Sequence, residues 1–128
     1  MKAQANQYKQ VDVQTAIDAA SPHQLIDMLF QGAIDRVAQA KGFMSHGDMA
    51  GKARSVNACI DIVEGLQASL DHNQGGDIAA NLDALYEYMQ RRLFRANADN
   101  DPNALVEVTD LLQTLREAWL AITPADDA

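Results

Sequence analysis

Apolar residues recur at three- and four-residue steps in four blocks along the chain, each bounded by polar, turn-forming residues. The first block is Leu25, Ile26, Leu29, Phe30, Ala33, Ile34 and Val37. Before it stands Ser21-Pro22-His23-Gln24: serine caps free N–H groups, proline fits the first helical position, and glutamine closes a capping box. The pattern predicts a helix to about Ser45, with Gly47 just past its end. Asp48 is the expected cap of a second helix, whose seam reads Met49, Ala53, Val56, Ile60, Val63 and Leu70. Asp71 to Gly76 reads as a polar loop ending in a Gly-Gly break. Behind it, Ile78, Leu82, Leu85, Met89, Leu93 and Ala96 share one face of a third helix that fades near Asn97. Asp101-Pro102 repeats the cap-plus-proline signal. The last helix carries the cleanest heptad, Leu105, Val108, Leu112, Leu115, Trp119 and Ile122, and Pro124 stops it.

Each predicted helix is roughly 20–25 residues, or about 30–38 Å. Similar lengths and short polar turns favour antiparallel neighbours, so the expected fold is all-α, an up-down-up-down four-helix bundle. Residues 1–20 lack sustained periodicity and read as an N-terminal arm or short capping helix. The bundle is expected over residues 21–124, with a short acidic tail at 125–128.

Composition narrows the function. The chain has 128 residues and is 48% hydrophobic, enough for one domain with a core. Ten basic residues against eighteen acidic give a formal charge of −8. Nucleic-acid binding requires a basic surface that displaces counterions from phosphates, so it is not expected here. An anionic membrane surface is disfavoured for the same reason. The first ten residues hold no apolar signal region, and no apolar run is long enough to insert in a bilayer, so a cytosolic protein is expected.

Catalytic chemistry is not legible. Glu-x-x-His pairs, which carboxylate-bridged bundles require, are absent. His23, His46 and His72 lie near predicted helix ends, far apart, and read as solvated or end-capping residues. Cys59 has no cationic or histidine partner nearby in sequence that would favour a thiolate. No phosphate-binding glycine pattern and no nucleophile–base set is visible, so neither an enzyme nor a cofactor is expected.

The helices carry more apolar residues than one seam needs. Cys59, Ile62 and Leu66 lie beside the second seam, Leu25, Met28 and Met44 beside the first, and Tyr86 and Tyr88 flank the third. Two readings account for them: a wide core face, or a groove that receives a partner helix or extended peptide. Arg91, Arg92 and Arg95 admit two readings as well, a solvated face with Glu87–Arg91 in favourable i, i+4 order, or a contact for an acidic partner. Tyr8 is either a surface residue of a polar arm or an anchor that folds the arm back.

Five pieces of the chain stand in a telling order: Tyr8 with Val13, ASPHQLIDML at Ala20–Leu29, GAIDR at Gly32–Arg36, the stretch Gly75–Asn97, and LREAW at Leu115–Trp119. Together they resemble the FliS family, the cytoplasmic export chaperones of bacterial flagellin. Gln31 departs from the pattern, where the family usually has an acidic residue. The resemblance implies an antiparallel bundle capped by its N-terminal arm, with Tyr8 at the position of the arm's tyrosine. It also implies binding of the disordered C-terminal segment of flagellin along hydrophobic grooves. That binding would prevent premature polymerisation and deliver flagellin to the flagellar export gate without a cofactor. The expected client contacts are Tyr8, Ile17, Met28, Cys59, Ile62, Leu66, Tyr86, Tyr88 and Arg92. The free chain is expected to be a monomer or weak homodimer. A general helical adaptor without an export role is the alternative.

Overall fold

The structure, a computed structural model, describes residues 15–122. Residues 15–19 are helical, and four long helices follow: α1 (Pro22–Ser45), α2 (Met49–Ala68), α3 (His72–Asp99) and α4 (Pro102–Leu120). α1 packs on α2 and α4, and α3 packs on the same two helices, so the bundle is square in section. Long-range bonds fix the antiparallel sense. His23 at the start of α1 meets Trp119 at the end of α4, and Lys52 at the start of α2 meets Asn97 at the end of α3.

The expected caps are in place. Ser21 and Gln24 form the reciprocal capping box, at 3.2 and 2.9 Å. Asp48, Asp71 and Asp101 each accept backbone N–H bonds at the starts of α2, α3 and α4. The second of these was not an expected cap, and it corrects the expected loop at Asp71–Gly76. Because Asp71 already caps the N–H groups of Asn73 and Gln74, α3 begins there, and the glycine break becomes a kink within it. Gly76 carries that kink at φ 49° and ψ −123°, a conformation open to a residue without Cβ.

The core is a set of heptad layers. Phe30, Ala33, Val37 and Ala40 of α1 face Val56, Cys59, Val63 and Leu66 of α2. Tyr86, Met89, Leu93 and Ala96 of α3 and Leu105, Val108 and Leu112 of α4 complete it. Every step is three or four residues, the spacing of knobs packed into holes.

α2 is therefore turned from its expected seam. Cys59 and Leu66 point into the core, while Ile60 stays half-buried at its edge and Met49, at the first helical position, is exposed. The apolar stripe of α2 is wide enough to offer either face, and packing against α1 selects the one centred on Cys59 and Val63. Close approach helps set that rotation: a Cβ on Gly51 would lie 2.6 Å from the ring of Phe43, so only glycine lets α1 and α2 meet there.

Lys52 is a buried cation with an identifiable role. Its ammonium donates to the carbonyl of Asn97 at 2.8 Å and to the side-chain oxygen of Asn100. Asn100 is left-handed, at φ 51°, and ends α3. Lys52 thus satisfies carbonyl-end groups that the helix itself leaves open, where positive charge also suits the dipole.

Candidate functional site

At one end of the bundle the helices do not finish together. α3 is 28 residues long, against 19–24 for the others, and its first turns extend past the end of α2. Gln67, next to the last residue of α2, bonds to Asp83 of α3 at 3.0 Å, so Ile78 lies more than a turn beyond the last full layer. Ile78 sits on the core stripe yet is 71% exposed, because α2 ends short of it. Ile122, just past the end of α4, is 61% exposed. Both were expected in the core.

Between these two isoleucines runs an apolar groove of about 680 Å³. Ile26 and Phe30 of α1, Leu70, and Leu82 and Tyr86 of α3 form its walls, with Trp119 of α4. A second recess of about 460 Å³, lined by Pro22, His23, Leu25, Ile26, Ser69 and Trp119, continues it around the start of α1. The two share Ile26, Ser69 and Trp119, which makes one apolar channel across the bundle end.

Trp119 holds the channel's shape. Its indole stacks on the His23 ring with centroids 4.7 Å apart, and its Nε1–H donates to the His23 carbonyl at 2.9 Å. His23 Nε2 returns a bond to the Trp119 carbonyl at 3.0 Å, which requires the proton on Nε2. This reciprocal latch joins the two chain-distant ends of α1 and α4.

The expected contacts fall into different places. Cys59 and Leu66 belong to the core, with no surface for a client to reach unless the bundle opens. The Cys59 thiol donates to the Ala33 carbonyl at 3.5 Å, and burial pushes its pKa up to about 12, so it is a packed hydrophobe and not a reactive thiol. Tyr86 is buried too, its pKa also raised to about 12 by burial, and it backs the groove as part of the wall.

Tyr88 and Arg92 instead clasp α3 to α4 through Glu107. The Tyr88 hydroxyl donates to both carboxylate oxygens at 3.0 Å, and Arg92 Nε donates at 2.6 Å. These bonds, from Arg92 first and Tyr88 second, hold the Glu107 carboxyl below the usual carboxylate range. Ile62 and Met28 are half-buried on the flank of the bundle, and Ile17 is exposed on the helical turn before α1. Tyr8 lies outside the described residues. Ile78, Ile122, Trp119 and Ile26, which form the groove, were not among the expected contacts. No local signal marked the first two, since the predicted helices were of similar length and both residues fit the core periodicity.

Among the described residues no three His, Cys, Asp or Glu side chains gather to hold a metal, and no helix is long and apolar enough to cross a membrane. Rigid helices around an open apolar channel define a binding scaffold for another polypeptide segment. Residues 4–126 match the family model described as flagellar protein FliS. The chain is 48% identical over 118 residues to the flagellar secretion chaperone FliS of Salmonella typhimurium strain LT2, covering 91% of this chain and 87% of that one. It is 42% identical to the flagellar secretion chaperone FliSB of Pseudomonas aeruginosa, covering 96% and 97% of the two chains. Against the flagellar secretion chaperone FliS of Bacillus subtilis the figures are 31% identity, 83% and 78%. The chain belongs to the FliS family of flagellar secretion chaperones.

Proposed function

We propose that this chain is a cytosolic chaperone of flagellin. It binds the C-terminal segment of flagellin, keeps it from polymerising early, and carries it to the flagellar export gate. The observation that supports this most strongly is the match to named flagellar secretion chaperones over nearly the whole length of both chains. The groove supplies a physical means. A disordered segment loses entropy when it orders, and a long apolar channel offsets that loss by burying many side chains at once.

The chain acts by binding alone, without catalysis, cofactor or metal. Its client contacts in the described residues centre on Ile78, Ile122, Ile26 and Trp119, with Ile17 and Met28 beside the start of α1. Free of client, it is a monomer or a weak homodimer. The relatives' names do not favour a general adaptor without an export role.

Calorimetric titration with intact flagellin, and with flagellin lacking its C-terminal segment, tests this function. Binding to the intact protein alone is expected. Equal binding to both, or to neither, would overturn it.

A further inference from the structure

A second surface lies on the side of the bundle, where α2 and α3 meet. Phe94 of α3 is 69% exposed, and with Ile60 of α2 it lines a recess of about 380 Å³ completed by Gln90, Arg91 and Arg95. Gln90 is tied across to α2: it donates to Gln67 at 2.8 Å, and Gln67 donates to Asp83 at 3.0 Å and to Glu87 at 3.4 Å. Sixteen residues of α3, roughly 24 Å of rise, separate Phe94 from Ile78. The recess shares no lining residue with the end groove.

The arginines of this recess differ from Arg36, Arg92 and Arg116 in how they are used. Arg92 pairs with Glu107, Arg116 with Asp27, and Arg36 bonds to Gln39. Arg91 and Arg95 are exposed and form no hydrogen bond or ion pair with a described residue. Glu87, one turn before Arg91, accepts from Gln67 and leaves Arg91 unpaired.

We propose that this recess docks an acidic, amphipathic segment of a partner protein. A large apolar side chain of the segment packs on Phe94 and Ile60, and two carboxylates meet Arg91 and Arg95. The arginines stand four residues apart, about 6 Å along the axis, which suits carboxylates three or four apart on a helix. Guanidinium groups take carboxylates in paired hydrogen bonds, and an aromatic anchor between them gives the contact an apolar centre. The chain's charge of −8 repels acidic segments over most of its surface, and two uncommitted cations beside an exposed ring give such a segment a local attraction here. The same net charge disfavours a nucleic acid as the occupant. The inference does not rest on what the end groove binds.

The test uses three fluorescein-labelled amphipathic 16-residue peptides of equal apolar content, whose polar positions are all Glu, all Gln or all Lys. Fluorescence anisotropy with the wild-type chain should give binding to the Glu peptide at least ~10-fold tighter than to the Gln peptide, weakening as salt rises. The double variant Arg91→Glu, Arg95→Glu should reverse the preference toward the Lys peptide. Phe94→Ser should weaken the Glu peptide ~10-fold or more, and Ile78→Asp should leave it unchanged. Equal binding of Glu and Gln peptides, insensitivity to charge reversal, loss of binding in Ile78→Asp, or displacement of the Glu peptide by oligo(dT) at equal concentration would each overturn the proposal.

Discussion

Leu93→Ala will lower the unfolding free energy by about 2–5 kcal/mol, while Phe94→Ala, one residue along, will change it by less than about 0.5 kcal/mol. The two residues differ by a 100° turn of α3. Leu93 is fully buried between the four helices, and its truncation leaves a cavity that close-packed neighbours fill only in part. Phe94 points outward, 69% exposed, and its loss removes little packing. A domain of this size has only about 5–15 kcal/mol of net stability, so the first change spends a large share of it. Urea unfolding reads the contrast through the midpoints, provided the slopes stay equal. Comparable losses for both variants would mean that α3 is rotated from the placement described.

That same contrast shows where the sequence was readable. Leu93 recurs with Met89 and Ala96 on a narrow stripe, and α4 repeats the pattern with Leu105, Val108 and Leu112, so their inward faces follow from spacing. Ser21-Pro22 and Asp101-Pro102 carry the chemistry that starts a helix, and the helices start there. α2 was less legible because Val56 and Val63 are flanked by Ile60 on one side and by Cys59 and Leu66 on the other, and the core takes Cys59 and Leu66. Propensity does not choose between two adjacent apolar stripes; contact with α1 does.

The groove was less legible again. Ile78 obeys the core periodicity of α3, and only the early end of α2 leaves it in the open. The bonds that shape the site are equally remote from local pattern. Trp119 and His23 are 96 residues apart in the chain, and Lys52 lies 45 residues from Asn97. The recognisable stretch Gly75–Asn97 thus pointed to the family more clearly than to its binding surface. Within that stretch, Tyr88 and Arg92 brace α3 against α4, while Ile78 faces the groove and Phe94 faces the opposite, lateral recess.

The double variant Ile78→Asp, Ile122→Asp will weaken binding of flagellin's C-terminal segment at least about 100-fold, or ~2.7 kcal/mol. Each isoleucine covered by a client contributes roughly 1.5–3 kcal/mol of apolar burial, and an aspartate put in its place must also lose water. Both side chains are largely exposed in the free chain, so the melting temperature should stay close to wild type. This separates the groove from the core: Leu93→Ala harms the fold, whereas the isoleucine pair harms only binding. Wild-type affinity in the double variant would remove Ile78 and Ile122 from the client contact.

Isoleucine methyl NMR reads the groove itself, with flagellin's C-terminal segment titrated into the labelled wild-type chain. The predicted result is large shifts or broadening at Ile26, Ile78 and Ile122, which line the channel, with Ile34 on the shaft of α1 unmoved. Unshifted Ile78 and Ile122 methyls at a saturating concentration of the segment would contradict the placement of the client in the end groove.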